Sequence, residues 1–225
     1  MKSRLLAITL MLSCFGADPV VADDDPRRFE NEIRLFERRD QTNPPLAGPV
    51  LFTGSSSIVK WQSLSNDFAG QYVLNRGFGG STWRDLNFYF ARLVPKYRPR
   101  AVVVYEGDND LAAGRSVKEC LADFDEFRAH MRATLPGLPV AILSTKHSPV
   151  RQHLFALQNE LNEGIRRRLL TEPNWIELDV ASPLLDTAGA PRAELFEADQ
   201  LHLNRAGYAV WAPVVRLWVE KFGGP

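Results

Sequence analysis

Apolar residues along this chain recur in two registers, short unbroken runs and helical stripes, and the two alternate. The runs at 50–53, 71–75, 101–105, 140–144 and 175–180 have the length of strands rather than of helices. The run at 101–105, Ala-Val-Val-Val-Tyr, is rich in β-branched residues and lacks polar alternation, which predicts a central strand covered on both faces. Between the runs lie stripes at three- and four-residue spacing: Phe29, Ile33 and Phe36; Ile58, Trp61 and Leu64; Val117, Leu121, Phe124, Phe127 and Met131; Leu154, Leu157, Leu161, Ile165 and Leu169; and Tyr208, Trp211, Val215, Trp218 and Phe222. A further helix is predicted over 82–93, and the first over about 26–39.

Punctuation supports the same elements. Ser116-Val117-Lys118-Glu119 is a capping box, Pro149 follows Ser148 at a helix start, and Asn204 precedes the last stripe as its cap. Strands and helices alternating at this spacing imply helices on both faces of a parallel sheet. The predicted fold class is α/β: one doubly wound, three-layer α/β/α domain with a parallel sheet of about five strands.

Parallel strands deliver their exits to one rim, where ligands and chemistry collect in open α/β sheets. The first strand exits into Gly54-Ser55-Ser56-Ser57, the second into Gly79-Gly80-Ser81 and the third into Gly107-Asp108-Asn109-Asp110. A long final loop supplies Asp199-Gln200-Leu201-His202, whose spacing lets a carboxylate reach the imidazole within one turn. Acyl transfer needs a hydroxyl, an imidazole, a carboxylate on its far nitrogen, and donors where negative charge develops. One serine of the triplet is therefore a candidate nucleophile. His147, after the fourth strand, shares the rim and is a candidate substrate contact; His130 and His153 read as surface residues, and Trp61 and Trp83 as packing residues.

Composition narrows the partners. With 225 residues and 45% hydrophobic content, the chain can bury one good core, and 27 basic residues balance 27 acidic ones. That neutrality offers no field for nucleic acid or anionic lipid, and a small neutral or glycan substrate fits better. Lys2 and Arg4 precede an apolar run over 5–15, and Val20-Val21-Ala22 has the small residues of a cleavage site. Residues 1–22 are thus expected to be a secretory signal peptide cut after Ala22, and 23–225 the folded domain, secreted or periplasmic. Lipidation at Cys14 is the minor alternative. No stable membrane insertion is expected after processing, and Cys120 then stands as the sole cysteine, without a disulfide partner.

These motifs resemble those of the SGNH (GDSL-type) serine hydrolases, whose four blocks occur here in family order across residues 50–204. Gly54-Ser55-Ser56 stands for the first, Asn75-Arg76-Gly77-Phe78-Gly79-Gly80-Ser81-Thr82 for the second, the intact Gly107 to Asp110 for the third and the intact Asp199 to His202 for the last. The resemblance implies an ester hydrolase without metal or cofactor, with Ser56 as nucleophile, His202 as general base and Asp199 orienting the imidazole. The backbone N–H groups of Ser56 and Gly80 and the carboxamide of Asn109 would form the oxyanion hole. Two departures are plain: Ser55 stands for the usual aspartate before the nucleophile, and Ser81 for the usual aspartate after Gly80. Register from Gly54 favours Ser56 over Ser55 or Ser57, and Ser57 fits as the helix cap.

No long hydrophobic lid separates the blocks, so a short acyl ester is expected, with acetylated carbohydrate as one source. Two other functions fit parts of the pattern. A flavodoxin-like protein would use the hydroxyls at 53–57 to cradle phosphate or a cofactor. A metal-dependent phosphoesterase would draw on Asp108, Asp110, Asp199 and His202.

Overall fold

The computed structural model describes residue 25 and residues 27–222. The expected signal peptide, its cut after Ala22, and Cys14 lie outside the described residues. In chain order the elements are α1 (Glu30–Thr42), β1 (Val50–Gly54), α2 (Ser56–Val59), α3 (Leu64–Asp67), β2 (Val73–Gly77), α4 (Trp83–Phe88), α5 (Phe90–Leu93), β3 (Ala101–Tyr105), α6 (Asp108–Ala112), α7 (Val117–Thr134), β4 (Val140–Leu143), α8 (Phe155–Leu169), β5 (Trp175–Leu178) and α9 (Arg205–Phe222). The strands form one sheet in the order β2-β1-β3-β4-β5, every pair parallel.

Alternate strand residues feed two cores. Leu51, Val102, Val104, Val140 and Ile142 pack with α1, α4, α5, α7 and α8 on one face. Val50, Phe52, Val103, Tyr105, Ala141 and Leu143 pack with α2, α3 and α9 on the other. β1 and β3 are buried along their whole length, which is why their sequences carry no alternation. The second core is aromatic at its centre. Trp61 stacks on Tyr208 with ring centroids 5.2 Å apart, and Phe52, Phe68 and Trp211 close around it. Trp61 and Trp83 are thus packing residues, as the sequence suggests. Cys120 is buried and unbridged.

Several boundaries differ from the expected ones. β2 is shifted two residues from the expected 71–75: it starts at Val73 and continues through Arg76 and Gly77, which pair with Thr53 and Gly54 of β1 from an edge position. The helix expected over 82–93 breaks at Tyr89, and the one expected from Ser148 opens as a 3₁₀ turn, Pro149–Leu154, before α8. Leu157 then points partly outward rather than into the core. Ser57 is not the cap of α2: Ser55 holds that position, and Ser57 is buried inside the helix, its carbonyl accepting a 2.8 Å hydrogen bond from Tyr208 Oη. α6 starts inside a stretch that reads as loop. Among the described residues, no helix is long and apolar enough to cross a membrane.

The end of β1 depends on Gly54. Its φ is +114°, and a Cβ built there would lie 2.2 Å from the Tyr105 carbonyl oxygen, the acceptor of a 2.9 Å bond from Ser55 N–H. Gly54→Ala should therefore cost about 2–5 kcal/mol, combining backbone strain with overpacking, measured by urea denaturation. A loss below about 1 kcal/mol would contradict so tight a fit.

Candidate active site

The first strand turns at Gly54 and starts α2 at Ser56, which leaves that side chain half-buried on the rim. Asn75 braces the turn from β2. Its Nδ2 donates to Ile58 O at 2.6 Å and its Oδ1 accepts from Gly77 N at 2.9 Å. Gly79 follows closely, since a Cβ there would lie 3.9 Å from Ser56 Cβ.

The partner of Ser56 arrives 146 residues later. Phe196 and Leu203 bridge as antiparallel neighbours, Glu197 N–H donates to His202 O at 2.7 Å, and Gln200 takes a left-handed φ of +55° at the tip. Asn204 locks this hairpin to α9. Its Oδ1 caps the helix through Ala206 and Gly207 N–H, while its Nδ2 donates to Glu194 O and Phe196 O. Asp199 Oδ1 accepts from the N–H groups of Leu201 and His202, both at 2.9 Å. Its Oδ2 meets His202 Nδ1 at 2.6 Å, and His202 Nε2 lies 2.9 Å from Ser56 Oγ.

Burial opposes ionisation of Asp199, but the hydrogen bonds from the His202 ring and the two amides overcome it and hold the carboxyl below its usual range. An ionised carboxylate only accepts. Nδ1 therefore carries the hydrogen, and Nε2 is left to accept from the Ser56 hydroxyl. Such a line can move a proton from a hydroxyl to an imidazole whose far side is stabilised.

Candidate oxyanion donors lie on the neighbouring turns. Among the described residues, no partner is found for the backbone N–H of Ser56 or of Gly80, whose φ is +87°. Asn109 follows Gly107, whose φ of +103° favours glycine and where a Cβ would lie 2.7 Å from Leu161 Cδ2. Asn109 Nδ2 donates to Ser55 Oγ at 2.5 Å and to Ser81 O at 3.0 Å. Ser55 thus accepts from the candidate oxyanion donor.

Ser81 turns its hydroxyl inward to donate to Glu106 Oε1. Glu106 is buried, and among the described residues neither its Oε2, the Oδ2 of nearby Asp110 nor the Trp83 indole N–H finds a partner. Asp110 Oδ1 accepts from Trp83 N–H at 3.2 Å at the start of α4. Burial pushes Asp110 up to about 7, and burial together with the Asp110 charge pushes Glu106 well above the carboxylate range.

Asp108 meets the opposite surroundings. It accepts from Lys146 Nζ at 3.1 Å, Gln158 Nε2 at 3.1 Å and Tyr105 Oη at 3.2 Å, and it pairs with Arg151 Nη1 at 2.7 Å. Burial opposes its charge, but the Lys146 and Arg151 cations prevail and lower it to about 2. Lys146 and Arg151 carried no motif signal. Their only trace in the sequence is a basic residue shortly after the fourth strand and another two residues after Pro149.

The remaining candidates separate. Asp108, Asp110, Asp199 and His202 do not converge: among the described residues, no three His, Cys, Asp or Glu side chains are grouped to hold a metal ion. The hydroxyls of Thr53, Ser55 and Ser56 each have a protein partner. His147 is buried, stacked on Phe155 at 4.2 Å, with Nε2 3.0 Å from Asn159 Oδ1. It lines a cavity of about 300 Å³ with Ser144, Asn159, Glu163, Arg166 and Asp179. His130 is half-exposed against Phe90, and His153 is exposed.

A parallel three-layer sheet that gathers these blocks on one rim defines the class as an SGNH hydrolase fold. The GDSL-like Lipase/Acylhydrolase family model matches residues 47–210, and the chain belongs to that family of carboxylic ester hydrolases. The fold is shared with a GDSL-like lipase from Bacteroides thetaiotaomicron at 19% identity, over 88% of this chain and 98% of that one, with a TM-score of 0.67. A lipase/acylhydrolase from Enterococcus faecalis is similar at 19% identity, over 79% and 98% of the two chains, with a TM-score of 0.65. A carbohydrate esterase family 3 protein from Talaromyces cellulolyticus is similar at 17% identity, over 77% and 97%, with a TM-score of 0.60. No curated protein matches the chain.

The buried acids give the site a pH signature. Because Asp110 and Glu106 hold their protons longer in the folded chain than in the unfolded one, their contribution to stability is complete below about pH 4 and drains as pH rises toward and through 7. Asp110→Asn keeps an oxygen for Trp83 N–H and removes one ionisation. Its Tm advantage over the wild type should open between about pH 4 and 7 and persist above. A difference independent of pH would contradict the assignment.

Proposed function

We propose that this esterase works through a Ser56 acyl-enzyme, with His202 as general base and Asp199 as its orienting carboxylate. The observation that carries the reading is the hydrogen-bonded line from Asp199 Oδ2 through the imidazole to Ser56 Oγ, with contacts of 2.6 and 2.9 Å. Ser56 Oγ attacks the ester carbonyl while His202 Nε2 takes its proton. The proton is then returned to the departing alkoxide, and water repeats the sequence on the acyl-enzyme.

Negative charge on the carbonyl oxygen is met by the N–H groups of Ser56 and Gly80 and by Asn109 Nδ2. An oxyanion, carrying charge, displaces the neutral Ser55 hydroxyl as the acceptor of one Asn109 hydrogen. Ser55 then acts as a placeholder that keeps the amide turned toward the rim.

Short acyl groups on a hydroxyl-rich alcohol are the proposed substrates. The surroundings of Ser56 are glycines, hydroxyls and an amide, and the blocks are joined without a long apolar insertion. The polar cavity lined by His147, Asn159 and Asp179 lies beyond β4 and β5 on the same rim and suits a carbohydrate alcohol. The likeness to a carbohydrate esterase agrees with that choice.

Ser56→Ala and His202→Ala should each lower kcat for acetyl esters by at least about 10³-fold with the fold intact by circular dichroism. Asn109→Ala should lower kcat by about 10²–10³-fold. Neutral-pH turnover retained in His202→Ala would remove its role as base. Across a series of acyl lengths, kcat/KM should be highest for acetyl and fall as the chain grows; a rise toward long chains would overturn the short-acyl assignment.

A further inference from the structure

Asn109 can serve an oxyanion only if its nitrogen, not its oxygen, faces the rim, and the two orientations of a carboxamide have nearly the same shape. What distinguishes them is the partners of the two atoms: the Ser81 carbonyl, 3.0 Å from Nδ2, only accepts, and the partner of Oδ1 only donates. Asn109 Oδ1 accepts from Arg151 Nη2 at 3.0 Å. A guanidinium only donates, so a flipped amide would set NH₂ against N–H, donor against donor. The contact therefore adds to the Ser81 carbonyl in holding the orientation in which Nδ2 points toward Ser55 and Ser81.

Arg151 is itself held. Its Nη1 pairs with Asp108 Oδ1 at 2.7 Å, so the planar fork spans the side chains of two consecutive residues. Asp108 is anchored from behind by fully buried Lys146, by Gln158 and by Tyr105. Both terminal nitrogens of Arg151 are thus engaged within the protein, and its side chain is only 15% exposed, which argues against a direct role as a substrate anchor. The same 3₁₀ turn also reaches the other half of the site: Val150 N–H donates to Gln200 O at 3.3 Å, at the tip of the Asp199–His202 hairpin.

We infer that Arg151 is a positioning residue that fixes the carboxamide of Asn109 with its N–H groups turned toward the developing oxyanion. This rests on the Ser56 acyl-enzyme reading and assigns a residue outside the four motif blocks to the same reaction. Arg151 touches no reacting atom. It acts by removing the unproductive orientation of a donor that does.

The test is a double-mutant cycle between Arg151 and Asn109, read with a soluble acetyl ester. Arg151→Met keeps the aliphatic stem and leaves the Lys146–Asp108 pair in place, so folding should survive. Its kcat should fall by about 10- to 100-fold, within the loss expected for a full oxyanion donor, with KM changed by less than about 2-fold. Arg151→Lys, which can donate to one acceptor at a time, should recover part of the loss. In the Asn109→Ala background, Arg151→Met should cause no further fall in kcat.

Unchanged kcat in Arg151→Met would overturn the inference. So would a fall of equal factor with and without Asn109, because a role through Asp108 or general packing would multiply in that way. If Arg151→Met does not fold, Arg151→Lys carries the same cycle, and its smaller loss must vanish in the Asn109→Ala background. The underlying reading fails separately: wild-type turnover that survives Ser56→Ala removes both, whereas a dead Ser56→Ala beside a fully active Arg151→Met removes only the role of Arg151.

Discussion

The Tyr105 carbonyl oxygen occupies the space where a Cβ on residue 54 would stand, and the rest of the rim is arranged around that contact. β1 and β3 run side by side until that point, and the close approach lets Ser55 N–H bond across to Tyr105 O while β1 turns into α2. Ser56 is thereby fixed at the first turn of a helix seated against β2 and α9, by Asn75 on one side and Tyr208 on the other. A hairpin from the far end of the chain can then meet Ser56 Oγ with a single imidazole. Rigid neighbours on three sides make that contact a property of the fold rather than of one loop.

Charge around Asn109 is managed in two contrasting ways. Asp108 is buried with two cations and two neutral donors, so its charge survives desolvation. Among the described residues no cation is in direct contact with buried Asp110 or Glu106, and burial raises the proton affinity of both. The residue between the two aspartates is held from its oxygen by the cationic side and presents its nitrogen to the serines. Ser55 and Ser81 both take part: Ser55 accepts from the amide, and Ser81 offers its carbonyl to the amide and its hydroxyl to Glu106. Hydroxyls at these two positions add no charge to a region that already buries Glu106, Asp108 and Asp110.

Much of this was legible in the sequence where the determinant is local. The unbroken run Ala101 to Tyr105 reads as a central strand because burial on both faces leaves no polar position. Asp199 and His202 read as a pair because one turn joins them, and the glycines at 80 and 107 mark positive φ, while Gly79 lies against Ser56. The edge strand β2 was less legible: half-buried, it tolerates Asn75 and Arg76, so its apolar run marks its position but not its end. Ser57 looked like a cap because the triplet offers three equivalent hydroxyls, and only the backbone turn assigns Ser55 that place. Arg151 and Lys146 were invisible because their meaning is a tertiary contact with Asp108 and Asn109, some forty residues away in the chain.

The central claim is that one serine of the triplet, Ser56, is the nucleophile. Treatment of the wild-type protein with a fluorophosphonate, followed by peptide mass mapping, tests it most directly. The account predicts a single adduct on Ser56 with esterase activity lost in proportion to labelling. An adduct on Ser55 or Ser57, or full esterase activity without any adduct, would contradict it.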